Sequence, residues 1–454
     1  MWSTLFCWLL SVRPRHNLAR FGEICYSISM QFNKTTLKNG LRIITIPMAD
    51  NPSVTVLVMV AAGSKYEASA ENGISHFLEH MVFKGTPRRP KASDISREFD
   101  SIGAQHNAFT SHECTGYYAK VDARHTALAL DIVSDLYNNP LLDAAEMEKE
   151  KGVIVEEIRM YEDMPQAKVG RIFMELVYGN QPAGWDVAGT EGNVRSFSRD
   201  EVVAYRSAHY VSQATTVVVS GHFDEKAVLS DIERYFAAIS TKEGKSKASV
   251  LDEQDGPRIE IGWKETDQTH LIIGVRSYPI GSPYRPALSV LSAILGKGMS
   301  SRLFDKLRNE MGICYYIDAD SDLYTDHGLF EVSAGVDNSR VEEAIRVILS
   351  ELARTTREKV TDAELIKVKD FIAGNMQLSL ETSDALANYA GGREVLEGTI
   401  RTPEEVIAKI RAVTAEQVLE VAKKIFVDKN LNLAIVGNYK DEERFRRLLT
   451  FNNI

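Results

Sequence analysis

His76, Glu79 and His80 lie in the stretch Asn72-Gly-Ile-Ser-His-Phe-Leu-Glu-His-Met-Val-Phe-Lys-Gly-Thr86. On a helix, residues four apart sit one turn apart and about 40° apart around the axis, so both imidazoles can reach one metal ion. Glu79 flanks the same face on its other side, where a carboxylate meets a metal-bound water rather than the metal. Two neutral nitrogens beside a general base are the parts that make water nucleophilic at neutral pH. The spacing is H-x-x-E-H, the reverse of the commoner H-E-x-x-H. It points to metal-assisted hydrolysis. Catalytic zinc usually takes three protein ligands, so one more must come from elsewhere in the chain.

The helical pattern at residues 144–161 is rich in glutamate, and the choice there is made by face. Glu150, Val153, Ile154, Glu157, Ile158 and Tyr161 share one broad, mostly apolar stripe, while Glu156 falls with Lys149, Gly152 and Arg159 on the polar side. A carboxylate buried without a partner costs several kcal/mol, so one on an apolar stripe must be paired or ligated. Glu150 and Glu157 both qualify, about 10 Å apart along the axis. Glu156 reads as a solvated residue.

These side chains need a scaffold. From Gln31 the pattern gives a strand, a turn at Lys38-Asn39-Gly40, and strands at 41–46 and 54–61. Asn72-Gly73 with Ser75 then leads into the histidine helix. A helix at 92–102, strands at 103–110 and 115–122, and helices at 124–138, 144–161 and 166–177 follow. A capping box, Ser198-x-x-Glu201, opens another helix before a buried strand at 215–220. After a polar linker at 241–256 the order returns, with strands at 270–275, 314–321, 328–334 and 431–436 and helices at 341–355 and 362–376. Thr414-x-x-Gln417 repeats the capping box. The fold class expected is α+β: two repeated domains, 30–240 and 257–454, each a mostly antiparallel β-sheet covered by helices. In the second copy Ser289, Ser292 and Ala293 stand where His76, Glu79 and His80 stand in the first, so it keeps the fold without the metal site.

The 454 residues suffice for two or three cores. A net charge of −10 argues against nucleic acid as a partner. The one basic run, Arg88-Arg89-Pro90-Lys91, reads as a solvated loop. The four cysteines form no C-x-x-C pair, which excludes a cysteine zinc site and fits a reducing compartment. Residues 2–12 are apolar but too short to span a membrane, and no other span is expected. Residues 1–29 are read as a misassigned start ahead of Met30, with a cytoplasmic protein implied. An arginine-rich transit peptide, hence the mitochondrial matrix, is the alternative.

With 76 residues between His80 and Glu157, the H-x-x-E-H inverzincin pattern resembles the pitrilysin and insulin-degrading enzyme family, which includes mitochondrial processing peptidase. The similarity runs from Gln31 to the C-terminus and covers both halves. It implies one Zn2+ per chain held by His76, His80 and Glu157, with Glu79 as general base and Glu150 as a supporting carboxylate. Asn107-Ala108-Phe109-Thr110 resembles the family's edge strand, to which a peptide or unfolded polypeptide adds as one more strand. Arg308 and Tyr315 resemble the pair that the family brings over the scissile carbonyl from another domain. Gly296-Lys-Gly-Met-Ser-Ser resembles the glycine-rich stretch of the processing peptidases. His106 reads as a strand side chain and His112 as a turn residue. The function implied is a zinc endopeptidase working as a homodimer, or as a heterodimer with a related chain. Family members also serve as non-catalytic partner subunits or as dedicated presequence-processing peptidases, and these are the alternatives.

Overall fold

The computed structural model describes residues 30–452, so the leader at residues 1–29 lies outside the described residues. The first sheet takes β1 (Asn33–Thr36), β2 (Arg42–Pro47), β3 (Ser53–Val60), β4 (Gln105–Thr110), β5 (Thr115–Asp122) and β6 (Thr215–Gly221), in spatial order β1-β2-β6-β3-β5-β4. The second takes β7 (Arg258–Trp263), β8 (Gln268–Arg276), β9 (Cys314–Leu323), β10 (Gly328–Asp337) and β11 (Asn432–Gly437), in order β7-β11-β8-β10-β9. Without β1 the two orders coincide. Each sheet has one parallel pair, β2 with β6 and β7 with β11, and is otherwise antiparallel. This is the duplicated α+β architecture expected. β7 is absent from the expected elements because Arg258-Ile-Glu-Ile-Gly-Trp263 is short and half exposed.

Five helices of the first half matter for the site: α1 (Ile74–Val82), α2 (Ala92–Ser101), α3 (Thr126–Asn138), α4 (Ala144–Asp163) and α5 (Pro165–Tyr178). The apolar residues of α1, Ile74, Phe77, Leu78, Met81 and Val82, are fully buried against the first sheet's core, which turns its histidines away from that core. Arg89 departs from the solvated loop expected. It is 3% exposed and donates to Glu98, Asp131 and Asp135 at 3.0, 2.7 and 2.8 Å. Three carboxylates from α2 and α3 make its burial tolerable, whereas Arg88 and Lys91 stay exposed.

The halves exchange helices. Val169, Ile172, Phe173 and Val177 of α5 pack on Ile272, Leu329, Ala434 and Val436 of the second sheet. In return the helix Ser383–Glu397 lays Leu386, Ala387 and Ala390 on Ile44, Leu57, Met59 and Val218 of the first. This explains why every residue of β6 is buried: helices cover both faces of the first sheet. The seam also carries a buried charge, since Glu394, 1% exposed, meets Lys34 at 2.7 Å and Arg42 at 3.4 Å. Each apolar side chain in these contacts is worth about 2 kcal/mol of burial, so the two halves stabilise one another.

Two buried histidines give the fold an acid-sensitive core. Burial, seconded by nearby lysine charge, holds His209 at about 4 and His327 at about 3. The neutral form is favoured in the fold, so below about 6.5 the unfolded chain binds more protons. This contribution to stability is complete above that pH and is lost progressively toward pH 4. At pH 5.5 the two together should cost about 3 kcal/mol. Urea melts of His209→Gln and His327→Gln at pH 7 and pH 5.5 check this; each variant should lose about half of the wild-type pH difference. An unchanged difference would mean that other groups carry it.

Candidate metal centre and active site

The chain enters α1 through Gly73, whose φ of +99° favours glycine. A Cβ there would also meet the Ala188 carbonyl oxygen at 2.6 Å. The first amides of α1 are satisfied by a side chain from outside the helix. Glu67, 4% exposed, accepts from Gly73 N at 2.8 Å, Ser75 N at 2.9 Å and Asn72 Nδ2 at 3.1 Å. A carboxylate at a helix N-terminus is favoured by the dipole, and these hydrogen bonds offset the burial that raises its pKa.

On the outward side of α1, His76 Nε2 lies 3.7 Å and His80 Nε2 3.4 Å from Glu157 Oε2, which projects from α4. One ligand atom from each of the three lies within 4.8 Å of the others. Ligands of a tetrahedral zinc stand about 3.3 Å apart, so the donor set has a fitting size and chemistry. On α4, Glu150 is buried, Glu157 half-buried, and Glu156 exposed in a pair with Arg159, the burial order that the apolar stripe predicts for these three. The pattern fails at Val153 and Tyr161, which are 53% and 46% exposed because the stripe is wider than the surface it covers.

Behind the three lies a supporting layer. His80 Nδ1 meets Glu150 Oε1 at 2.9 Å, and Lys84 holds the other oxygen of Glu150 at 2.6 Å. This arrangement fixes the ring and leaves Nε2 for Glu157 and a cation. His76 lacks such support: its Nδ1 is buried without a partner. Electrostatics separates the two imidazoles. Burial and the neighbouring His80 pull His76 down to about 4. Burial also works against a charged His80, but the hydrogen bonds it donates to Glu150 and Glu157 raise it to about 9. A divalent cation would replace the proton that His80 carries, so metal binding here should release protons.

Glu79 accepts a hydrogen bond of 2.6 Å from the Thr110 hydroxyl, and burial lifts its pKa above the ordinary carboxylate range. Thr110 ends β4, which among the described residues pairs only with β5 and leaves its other edge free. Along it Asn107 is exposed, Ala108 buried, and Phe109 and Thr110 half-buried. A cavity of about 1500 Å³ opens at the Thr110 end of β4, lined among others by His76, Thr110, His112, Glu157, Trp185 and Glu260. His106 instead stacks on Phe99 at 4.0 Å. Arg308 and Tyr315 do not line the cavity. They form an exposed stack of their own, the guanidinium 5.3 Å from the Tyr315 ring, with Tyr315 68% exposed.

Sequence reasoning overlooks Glu67, Lys84 and the Thr110–Glu79 bond. Lys84 carries a usable signal, four residues after His80. Glu67 carries none beyond standing near a helix start. In the second half the helix Arg285–Leu295 takes the place of α1, and Ser292 meets Ser321 at 2.7 Å where Glu79 meets Thr110 in the first. Hydroxyls there hold the packing with no metal-binding set.

Residues 42–191 match the insulinase family, peptidase family M16, and residues 196–371 match the peptidase M16 inactive domain. The sequence is 35% identical over 397 residues to the uncharacterized zinc protease YmxG of Bacillus subtilis, spanning 87% of this chain and 95% of that protein. It is 34% identical over 409 residues to an uncharacterized zinc protease of Rickettsia felis, spanning 89% and 97%. A protease from Helicobacter pylori shares the fold, with a TM-score of 0.83 at 22% identity over 90% of this chain and 99% of that one. The first half thus matches the insulinase model and the second the inactive-domain model of one family. The chain belongs to the insulinase (M16) family.

Proposed function

We propose that this chain is a zinc endopeptidase that cleaves peptides or unfolded polypeptide segments. The observation that carries the reading is the convergence of His76, His80 and Glu157 beside Glu79, next to a free strand edge and a large cavity. His76, His80 and Glu157 would hold one zinc ion per chain, and that ion would bring the pKa of a water toward about 7. Glu79 accepts the proton of the attacking water and returns it to the leaving amine. Its raised pKa suits both directions of transfer. Glu150 and Lys84 keep His80 in one orientation. Asn107, Ala108, Phe109 and Thr110 offer backbone groups on which an extended substrate adds as a strand. The division into domains 30–240 and 257–454 around the linker 241–256 belongs to the same reading. Cleavage of a quenched peptide, its loss with EDTA and its return with zinc test the proposal. Chelator-insensitive cleavage, or none with zinc restored, rejects it.

The separation of Arg308 and Tyr315 from the cavity supports completion of the site by a second copy. In this reading two chains face each other symmetrically, and each lends both residues to its partner. Glu79→Gln and Tyr315→Phe proteins should each be poorly active. After subunit exchange, one of the two sites in a mixed dimer has both wild-type residues, so activity should rise toward half of wild type per mixed dimer. Verified exchange without recovery, or an active monomer, rules this out.

A further inference from the structure

The turn between β9 and β10, residues 324–327 of the second half, reaches into the first half beside the site. Thr325 gives Glu113 two hydrogen bonds, from its amide at 2.9 Å and its hydroxyl at 2.6 Å. Asp326 accepts from the ammonium of Lys65 at 2.5 Å, and Lys65 also meets Glu113 at 3.0 Å. Lys65 is 1% exposed and Glu113 4%, so these charges have no solvent to fall back on. Lys247 from the linker closes the cluster on Asp326. Tyr324 lies against both Lys65 and His112.

The two anchored residues sit on the two segments that shape the site. Lys65 stands two residues before Glu67, the carboxylate that caps α1. Glu113 stands three residues after Thr110, the hydroxyl that holds Glu79. The segments are also tied to each other: Ser64 N donates to Ser111 O at 3.2 Å and Lys65 N to His112 O at 2.9 Å. Gly63 permits this approach, since a Cβ there would stand 2.2 Å from the Ser111 oxygen.

We propose that this turn of the second half is a positioning element for hydrolysis: Thr325 and Asp326, acting through Glu113 and Lys65, clamp the segments that set Glu79 and the N-terminus of α1. The half without a metal site thereby controls the geometry of the half that has one. The proposal rests on the reading of Glu79 as proton acceptor only for its effect on rate.

Asp326→Asn and Thr325→Val test it, each by amide hydrogen exchange and by steady-state cleavage of a quenched peptide. Asp252→Asn serves as control, because it weakens a different contact of the linker, that with Arg276. In both turn variants the amides of residues 75–80 should exchange about tenfold faster, while kcat falls about tenfold and KM stays within about twofold. The control should leave exchange at 75–80 unchanged. A purely structural contact would lower the melting temperature and leave both the α1 amides and the kcat-to-KM split alone. Wild-type exchange at residues 75–80 in both turn variants overturns the proposal, as does a rise in KM with kcat intact. If the wild-type protein cleaves nothing, the function reading fails and the exchange arm alone decides the clamp.

Discussion

Glu79→Gln is expected to keep its metal and lose peptide hydrolysis by about 10³-fold. The substitution preserves shape, and the amide oxygen can still accept from the Thr110 hydroxyl that now holds Glu79 at 2.6 Å. What disappears is the ability to accept a proton. The wild-type rate should rise with pH on the acid side as Glu79 loses its proton. The variant should lose that limb together with its rate. Metal analysis of the purified variant, with kcat measured across pH, checks both parts. Cleavage at near wild-type rate would remove Glu79 from the chemistry.

The residues that proved easiest to read are those whose partners are close in sequence. His76, Glu79 and His80 declare themselves because one helical turn sets their spacing. The stripe on α4 narrows the third position to Glu150 and Glu157, and separating those two takes the family resemblance or the distances of 3.4 and 3.7 Å. The strand and helix order is legible for the same local reason, down to the capping boxes at Ser198 and Thr414. Long-range pairing is not. Arg89 looks like a solvated loop residue because two of its carboxylate partners, Asp131 and Asp135, lie more than forty residues away. The apolar face of α5 announces a buried helix without saying which sheet it covers, and it covers the sheet of the other half. The helix Ser383–Glu397 shows little apolar periodicity, since its contacts are made largely by Ala387, Ala390 and Gly391. Arg308 and Tyr315 are an exposed stack within one chain. The role proposed for them depends on a second molecule, which no pattern in a single sequence displays.

Three glutamates on one helix should respond to substitution in a graded order, which makes α4 the sharpest test of the metal centre. Glu156 points into solvent, 72% exposed in a pair with Arg159, and Glu156→Gln should leave zinc affinity unchanged. Glu150 is not one of the three converging donors. It holds His80 Nδ1 at 2.9 Å and is itself held by Lys84. Glu150→Gln should therefore weaken zinc binding by about 10- to 100-fold, the usual cost of disturbing a residue that orients a ligand. Glu157 supplies one of the three converging donors, and Glu157→Ala leaves only the two imidazoles, fewer than a catalytic zinc site uses. Its affinity should fall further than that of Glu150→Gln, below what survives dialysis. Competition with a zinc-chelating dye measures all three variants on one scale, and circular dichroism confirms that each is folded. Loss of zinc from Glu156→Gln would mean that α4 turns its other face to the site. Equal losses at Glu150 and Glu157 would mean that Glu150 binds the ion directly, and the distinction between ligand and support drawn from these distances would be wrong.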